Sequence, residues 1–263
     1  MVSSDLVFEI NDKIATIRLN RPDKYNAFTP EMLKDWADAL RHCRDDENVH
    51  VIVLTGTGKG FCSGGDVSNM KNRTEDSAYQ RRRFLTDYVH QIPLLLDQID
   101  KPVIVAVNGV ATGAGMDMAL MGDLRVAAKS ARFAETYVKV GLFAGDGGSW
   151  YLPRLIGSAK ALELLWTARF VSAQEACDLG IVNKVVEDEE LMAATYALAN
   201  QIAAQPPLAV RMIKRAVRQG ASIDIRTHLE MAASHMAAMY STEDHKEAVT
   251  AFAEKRAASF KGN

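Results

Sequence analysis

Residues 101–127, KPVIVAVNGVATGAGMDMALMGDLRVA, constrain the chain more tightly than any other stretch. The β-branched run Val103–Val107 has the composition of a strand buried on both faces. Asn108-Gly109 breaks it as a turn pair, and Thr112-Gly113-Ala114-Gly115 leads into a helical run over 116–121. A strand that empties through glycines into a helix start leaves backbone N–H groups free at the positive end of the helix dipole. Such a cradle favours an anion or a developing oxyanion. Asp117 lies one turn inside, three residues after Ala114, so an acid stands beside the donors. The same glycines would equally serve a helix that only packs close to its sheet, and the rest of the chain has to choose between the two.

With 263 residues and 48% hydrophobic content, the chain makes one large domain, or one domain with an extension, and has ample core. A net charge of −2 gives no electrostatic footprint for nucleic acid. Arg81-Arg82-Arg83 falls in a helical pattern and reads as a solvated face. No run reaches the ~18 apolar residues of a membrane span, and the first ten residues lack signal-peptide anatomy. Cys43, Cys62 and Cys177, odd in number and far apart, suit a reducing compartment rather than a disulfide framework. The six histidines show no ligand spacing, and His228 and His235 read as structural. The expectation is a soluble, cytoplasmic protein without a metal site, acting on neither nucleic acid nor membrane.

Residues 6–19 alternate as two short strands with Asn11-Asp12 at the turn. Thr29 caps a helix that opens on Pro30, the favoured place for proline, and ends near Arg44. Residues 49–54 read as a buried strand, and 55–66 as a second glycine-rich loop. That loop is no P-loop, because Val53 stands where the first glycine belongs and Gly60 where serine or threonine follows the lysine. Ser63 is no nucleophile elbow, because Phe61 occupies a required glycine position. Met118 likewise breaks a dinucleotide fingerprint after Gly113 and Gly115. A polar segment over 70–80 leads to a helix ending near Asp97. Residues 133–140 form a short strand or the approach to a turn, and 141–148 are a third glycine-rich loop. Helices follow from Ser158 and Ser172, Gly180 stops the latter, and 181–186 read as a last strand. Beyond Glu187 the pattern is helical, and the Ala/Met-rich stretch 231–240 is apolar over much of its circumference. That places a boundary near residue 200 and predicts an oligomer.

Repeated strand–loop–helix units predict an α/β fold with the glycine-rich loops gathered together. Two of those loops can each offer an N–H to one carbonyl oxygen, which makes an oxyanion hole suited to an enolate or tetrahedral anion. Asp117, Glu135 and Asp146 are the acids placed to move protons there.

Five ordered motifs then carry a resemblance: NRPDKYNA at 20–27, FCSGGD at 61–66, VNGVATGAGMD at 107–117, GLFAGDGGSWYLPRLIG at 141–157 and FAEKRAASFKG at 252–262. The chain resembles the enoyl-CoA hydratase/isomerase (crotonase) superfamily over essentially its whole length. The resemblance implies a ββα spiral core over residues 1–200 and a helical trimerisation region over 201–263, giving a homotrimer or a dimer of trimers. It implies an acyl-CoA substrate whose thioester oxygen is held by the N–H groups of Gly65 and Ala114, with no cofactor beyond the coenzyme A of the substrate. CoA contacts would fall on Lys24, Tyr25, Ser63, Asp66 and Val67, and on Phe252 and Lys255 reaching in from a neighbouring subunit.

The match departs from the two-glutamate hydratase pattern. One position holds Asp117, shorter by a methylene, and the other holds Tyr137, a weak base near neutral pH. Glu135, two residues upstream, would share a strand face with Tyr137 and could compensate. So could Asp146, in the loop where several isomerases and hydrolases of the superfamily carry an aspartate. The superfamily shares a scaffold across many reactions. Hydration or double-bond isomerisation of an enoyl-CoA is therefore the leading expectation. A CoA-thioester or β-diketone hydrolase and a non-catalytic CoA-binding scaffold stand as alternatives.

Overall fold

Runs of valine, isoleucine and alanine that alternate between two buried faces build the larger of two sheets. The computed structural model describes residues 4–66, 68 and 76–263. Among these, the larger sheet runs in spatial order β1 (Leu6–Asn11), β2 (Ile14–Leu19), β3 (Val51–Gly56), β5 (Val103–Val107), β7 (Leu124–Ala128) and β10 (Lys184–Val186). Only the β1/β2 pair is antiparallel. Its hairpin turns on Asp12 and Lys13, at φ +42° and +72°, one residue later than the sequence suggests. Two consecutive positive φ values are what a two-residue hairpin needs to follow the strand twist.

Each face of this sheet has its own cover. Val103, Val105 and Val107 point into a core with α1 (Pro30–Asp45), which contributes Met32, Leu33, Trp36 and Leu40. The Thr29 hydroxyl caps α1 by accepting the Met32 N–H at 3.2 Å. Ile104 and Ala106 face the other way, toward Leu191, Ala199 and Ala203 of α8 (Leu191–Ala203).

The second sheet positions the site. It consists of β4 (Gly60–Cys62), β6 (Val110–Thr112), β8 (Arg132–Ala134) and β9 (Val171–Ser172). β4, β6 and β8 are parallel, so their carboxyl ends share one edge. Each follows a strand of the larger sheet and precedes a helix, making three ββα units: β3–β4 with α2 (Ala78–Phe84) and α3 (Gln91–Gln98), β5–β6 with α4 (Ala114–Leu120), and β7–β8 with α5 (Gly148–Ile156). α4 begins at Ala114, two residues earlier than its hydrophobic run indicates. Its start is pressed against β4: a Cβ on Gly115 would lie 2.0 Å from the Cys62 carbonyl oxygen, so only glycine fits. Residues 133–140 are not a strand throughout, since β8 ends at Ala134 and Thr136–Val140 is a 3₁₀ turn. The expected face-sharing of Glu135 and Tyr137 along a strand is thereby corrected.

The chain continues through α6 (Ser158–Thr167) and α7 (Ala173–Leu179), and after α8 through α9 (Pro207–Gly220), α10 (Ile225–Tyr240) and α11 (Glu243–Glu254). Charged groups bolt α9 to the core: Lys214 lies 2.6 Å and Arg218 3.0 Å from Asp123, and Arg211 lies 2.7 Å from Asp100. No side chain of α9 or α10 is fully buried within the chain, while Ile213, Val217, Ile225, Leu229 and Met236 are exposed. Among the described residues, no helix is long and apolar enough to cross a membrane.

Candidate active site

Three parallel strand ends deliver three loops to one cleft of about 840 Å³. β4 delivers Ser63–Asp66, β6 delivers Gly113 and Ala114, and β8 delivers Thr136 and Tyr137. The loop before α5 adds Gly145 and Asp146, and Phe28, Phe84, Leu85, Val89 and Phe143 supply apolar wall. The first two loops touch, because a Cβ on Gly64 would lie 3.5 Å from the Ala114 nitrogen. Ala114 is the first residue of its helix, so its N–H has no intrahelical partner. Among the described residues, neither that N–H nor the Gly65 N–H donates to a backbone acceptor. Two amides on adjoining loops are thus available at the cleft wall.

Of the four acid–base candidates, only Tyr137 and Asp146 line the cleft. Asp117 is wholly buried behind Tyr137, and Glu135 is 1% exposed. The Tyr137 hydroxyl joins the front and back of the group, lying 2.8 Å from Asp117 Oδ2 and 3.0 Å from Asp146 Oδ2. Asp117 and Glu135 meet across the start of α5, where a Cβ on Gly148 would sit 2.2 Å from Asp117 Oδ1 and 2.7 Å from Glu135 Oε1. Asp117 does not open on the cleft with the amide donors as expected: α4 turns that carboxyl inward, against the Tyr137 hydroxyl, Glu135 and the Gly148 backbone at the start of α5.

Burial dominates the electrostatics. Loss of solvent pushes Asp117 and Asp146 above the usual carboxylate range. Glu135 is driven further the same way, by burial first and then by the negative charge of Asp117. Burial also raises the Tyr137 phenol, so it stays protonated and acts as a donor. On the cleft side, His90 Nε2 lies 3.0 Å from the Gly145 carbonyl and 3.9 Å from Asp146 Oδ1. A carbonyl only accepts, so Nε2 carries the hydrogen. His90 escaped sequence reading because its contact spans 55 residues.

The remaining candidates divide. Ser63 and Asp66 line the cleft. Asp66 accepts from the Ser68 hydroxyl and N–H and pairs with Arg21 at 2.9 Å, which together hold its carboxyl down at about 2. Arg21 was not singled out by sequence, although it lies inside the 20–27 motif. Lys24 and Tyr25 are exposed beside the cleft, and the Ser63 N–H donates to the Tyr25 carbonyl at 2.9 Å. Buried Asn26 ties that segment to the next loop by donating to the Gly60 carbonyl at 2.7 Å. Phe252 and Lys255 are exposed on α11 and just after it, and neither lines the cleft of its own chain. Val67 lies outside the described residues. Among the described residues, no group of His, Cys, Asp and Glu side chains is arranged to hold a metal ion.

Available amide donors beside buried titratable groups, at the carboxyl ends of parallel strands, are the layout of an α/β enzyme. The chain belongs to the enoyl-CoA hydratase/isomerase family, whose model matches residues 9–263. It is 38% identical over 261 residues to a crotonyl-CoA hydratase of Syntrophomonas wolfei, covering 99% of each chain. It is 34% identical over 257 residues to a 1,2-epoxyphenylacetyl-CoA isomerase of Escherichia coli, covering 98% of each. An enoyl-CoA hydratase from Bacillus anthracis superposes with a TM-score of 0.91 at 34% identity, covering 98% of this chain and 100% of the other.

Proposed function

We propose that this enzyme shifts the double bond of an enoyl-CoA thioester through a dienolate, with Asp146 as the proton carrier. The observation behind this reading is that, of the acids Asp117, Glu135 and Asp146, Asp146 alone lines the cleft, while Asp117 and Glu135 are buried away from it. Asp66, elsewhere in the lining, is held by Arg21 and Ser68. Hydration by the two-glutamate pattern needs two carboxylates on one water. Isomerisation needs one base that takes a proton from the α-carbon and returns it to the γ-carbon. The N–H groups of Gly65 and Ala114 hold the thioester oxygen as it becomes anionic. No further cofactor is required, since coenzyme A arrives with the substrate.

Ser63, Asp66, Lys24, Tyr25 and Val67 form the CoA side of the site in this reading. Phe252 and Lys255 complete it from a neighbouring copy in a homotrimer or dimer of trimers. Residues 1–200 make the catalytic core and 201–263 the assembly region, in a cytoplasmic enzyme. The test is a panel of crotonyl-CoA, a 3-enoyl-CoA and a saturated acyl-CoA. A gain of conjugated-enoyl absorbance from the 3-enoyl-CoA supports isomerisation. Loss of that absorbance from crotonyl-CoA as the sole reaction replaces it with hydration, and thiol release replaces it with hydrolysis. Binding with no turnover leaves a scaffold.

A further inference from the structure

Oδ1 of Asp117 and both Oε atoms of Glu135 are buried with no donor side chain of their own, and what they meet is each other and the Gly148 backbone. They face each other across Gly148, at a site where a Cβ would overlap them. Among the described residues, no lysine or arginine forms an ion pair with Asp117, Glu135 or Asp146. The one basic neighbour, His90, is on the Asp146 side at 3.9 Å. The other titratable groups around the pair are the phenols of Tyr137 and, farther off, Tyr151. Two facing carboxylates with no cation cannot both be ionised away from water.

We propose that Asp117 and Glu135 hold one proton between them and, through Tyr137, set the strength of Asp146 as a base. This deepens the isomerase reading above and rests on it for the role of Asp146. The link is geometric. The Tyr137 hydroxyl has one hydrogen and two carboxylate neighbours, and the shorter contact, 2.8 Å against 3.0 Å, is to Asp117. With the proton on Glu135, Asp117 is an anion and takes the Tyr137 hydrogen. Asp146 then lacks a donor from Tyr137 and stays a strong base. With Asp117 neutral, the hydroxyl turns to Asp146, stabilises its carboxylate and weakens it. Glu135 and Asp117 are thus positioning residues acting on Asp146 from behind. The raised values of both carboxyls agree with one retained proton.

Infrared spectroscopy tests the shared proton without substrate. At neutral pH the wild type should show the carbonyl band of a protonated carboxylic acid, and Glu135→Gln should lose it. No such band, or the same band in both proteins, overturns the proposal. Kinetics test the link to Asp146. In Asp117→Asn the acid limb of the kcat–pH profile should move about one unit toward acid, and its plateau should fall about tenfold. Adding Tyr137→Phe should move the limb back toward neutral, and an unmoved limb in both variants overturns the link. A wild type inert toward every enoyl-CoA refutes the isomerase reading, while the infrared band still decides whether the pair holds its proton.

Discussion

Gly148 stands so close to Asp117 that a Cβ there would lie 2.2 Å from Asp117 Oδ1. The glycine that opens α5 is therefore the wall of the acid chamber, and its missing side chain is the space the carboxyls occupy. Gly148→Ala must push Asp117 and Glu135 aside, and neither has water to move into. Overpacking of this kind costs about 1–3 kcal/mol. We expect a lower melting temperature together with a fall in kcat, because Tyr137 is displaced along with Asp117. A variant with wild-type melting temperature and kcat would show that the chamber tolerates the methyl.

The oxyanion donors can be separated from the fold by a single substitution at Ala114. This residue is the first of α4, a position where proline is well tolerated because its N–H has no intrahelical partner. Ala114→Pro removes one proposed donor and leaves the helix able to form. Loss of one such donor costs about 2.7–4 kcal/mol of barrier, on the order of 10²–10³ in kcat. The expected result is that loss with little change in thermal unfolding. Equal activity in both proteins would remove the Ala114 amide from catalysis.

Most of the larger sheet was legible in the sequence because β3 and β5 are five- or six-residue runs that are almost wholly apolar and β1 and β2 alternate. β7, Leu124–Ala128, interrupted by Arg125, was not read as a strand. Nor were β4 and β6, since a run of three residues shows no period, and β8 was read only as a short strand or a turn approach over 133–140; these three are the strands that carry the site. The residue identities Gly65, Ala114, Tyr137 and Asp146 were readable as motifs, and the structure brings all four to one cleft. What sequence could not reveal is depth. Asp117 looks adjacent to the donors by helical spacing, yet its rotation about α4 places it behind Tyr137. Orientation about a helix axis depends on what packs there, here Glu135 and Gly148, 18 and 31 residues away in the chain.

The buried acid pair should leave a signature in stability against pH. Glu135 has its folded-state value raised well above the ordinary 4.5, so the native state keeps a proton that the unfolded chain releases. Its favourable contribution is full below about 4.5 and is lost as pH rises from there toward the raised folded value. Glu135→Gln cannot titrate and lacks this slope. Between mildly acidic and mildly alkaline pH, the melting temperature of the wild type should fall relative to Glu135→Gln. Parallel curves would mean that Glu135 titrates alike in the folded and unfolded chain.

The outer faces of α9 and α10 make the last prediction. Ile213 and Val217 are 63% and 69% exposed on a helix whose Arg211, Lys214 and Arg218 reach inward to Asp100 and Asp123. These ion pairs fix α9 with its apolar residues turned out, flanking a groove of about 680 Å³ with Leu198, Ile202 and Val210. Apolar surface held outward in this way is what the proposed contact between copies would cover. Val217→Glu places a charge in that contact without touching the ion pairs. Light scattering should report a trimer or hexamer for the wild type and monomer for the variant, each with the same far-ultraviolet circular dichroism. If Phe252 and Lys255 complete the site of a neighbour, KM for the CoA ester should rise in the monomer while the Asp146 chemistry persists. A monomeric wild type would sink the assembly proposal and return Phe252, 88% exposed, to being an ordinary surface residue.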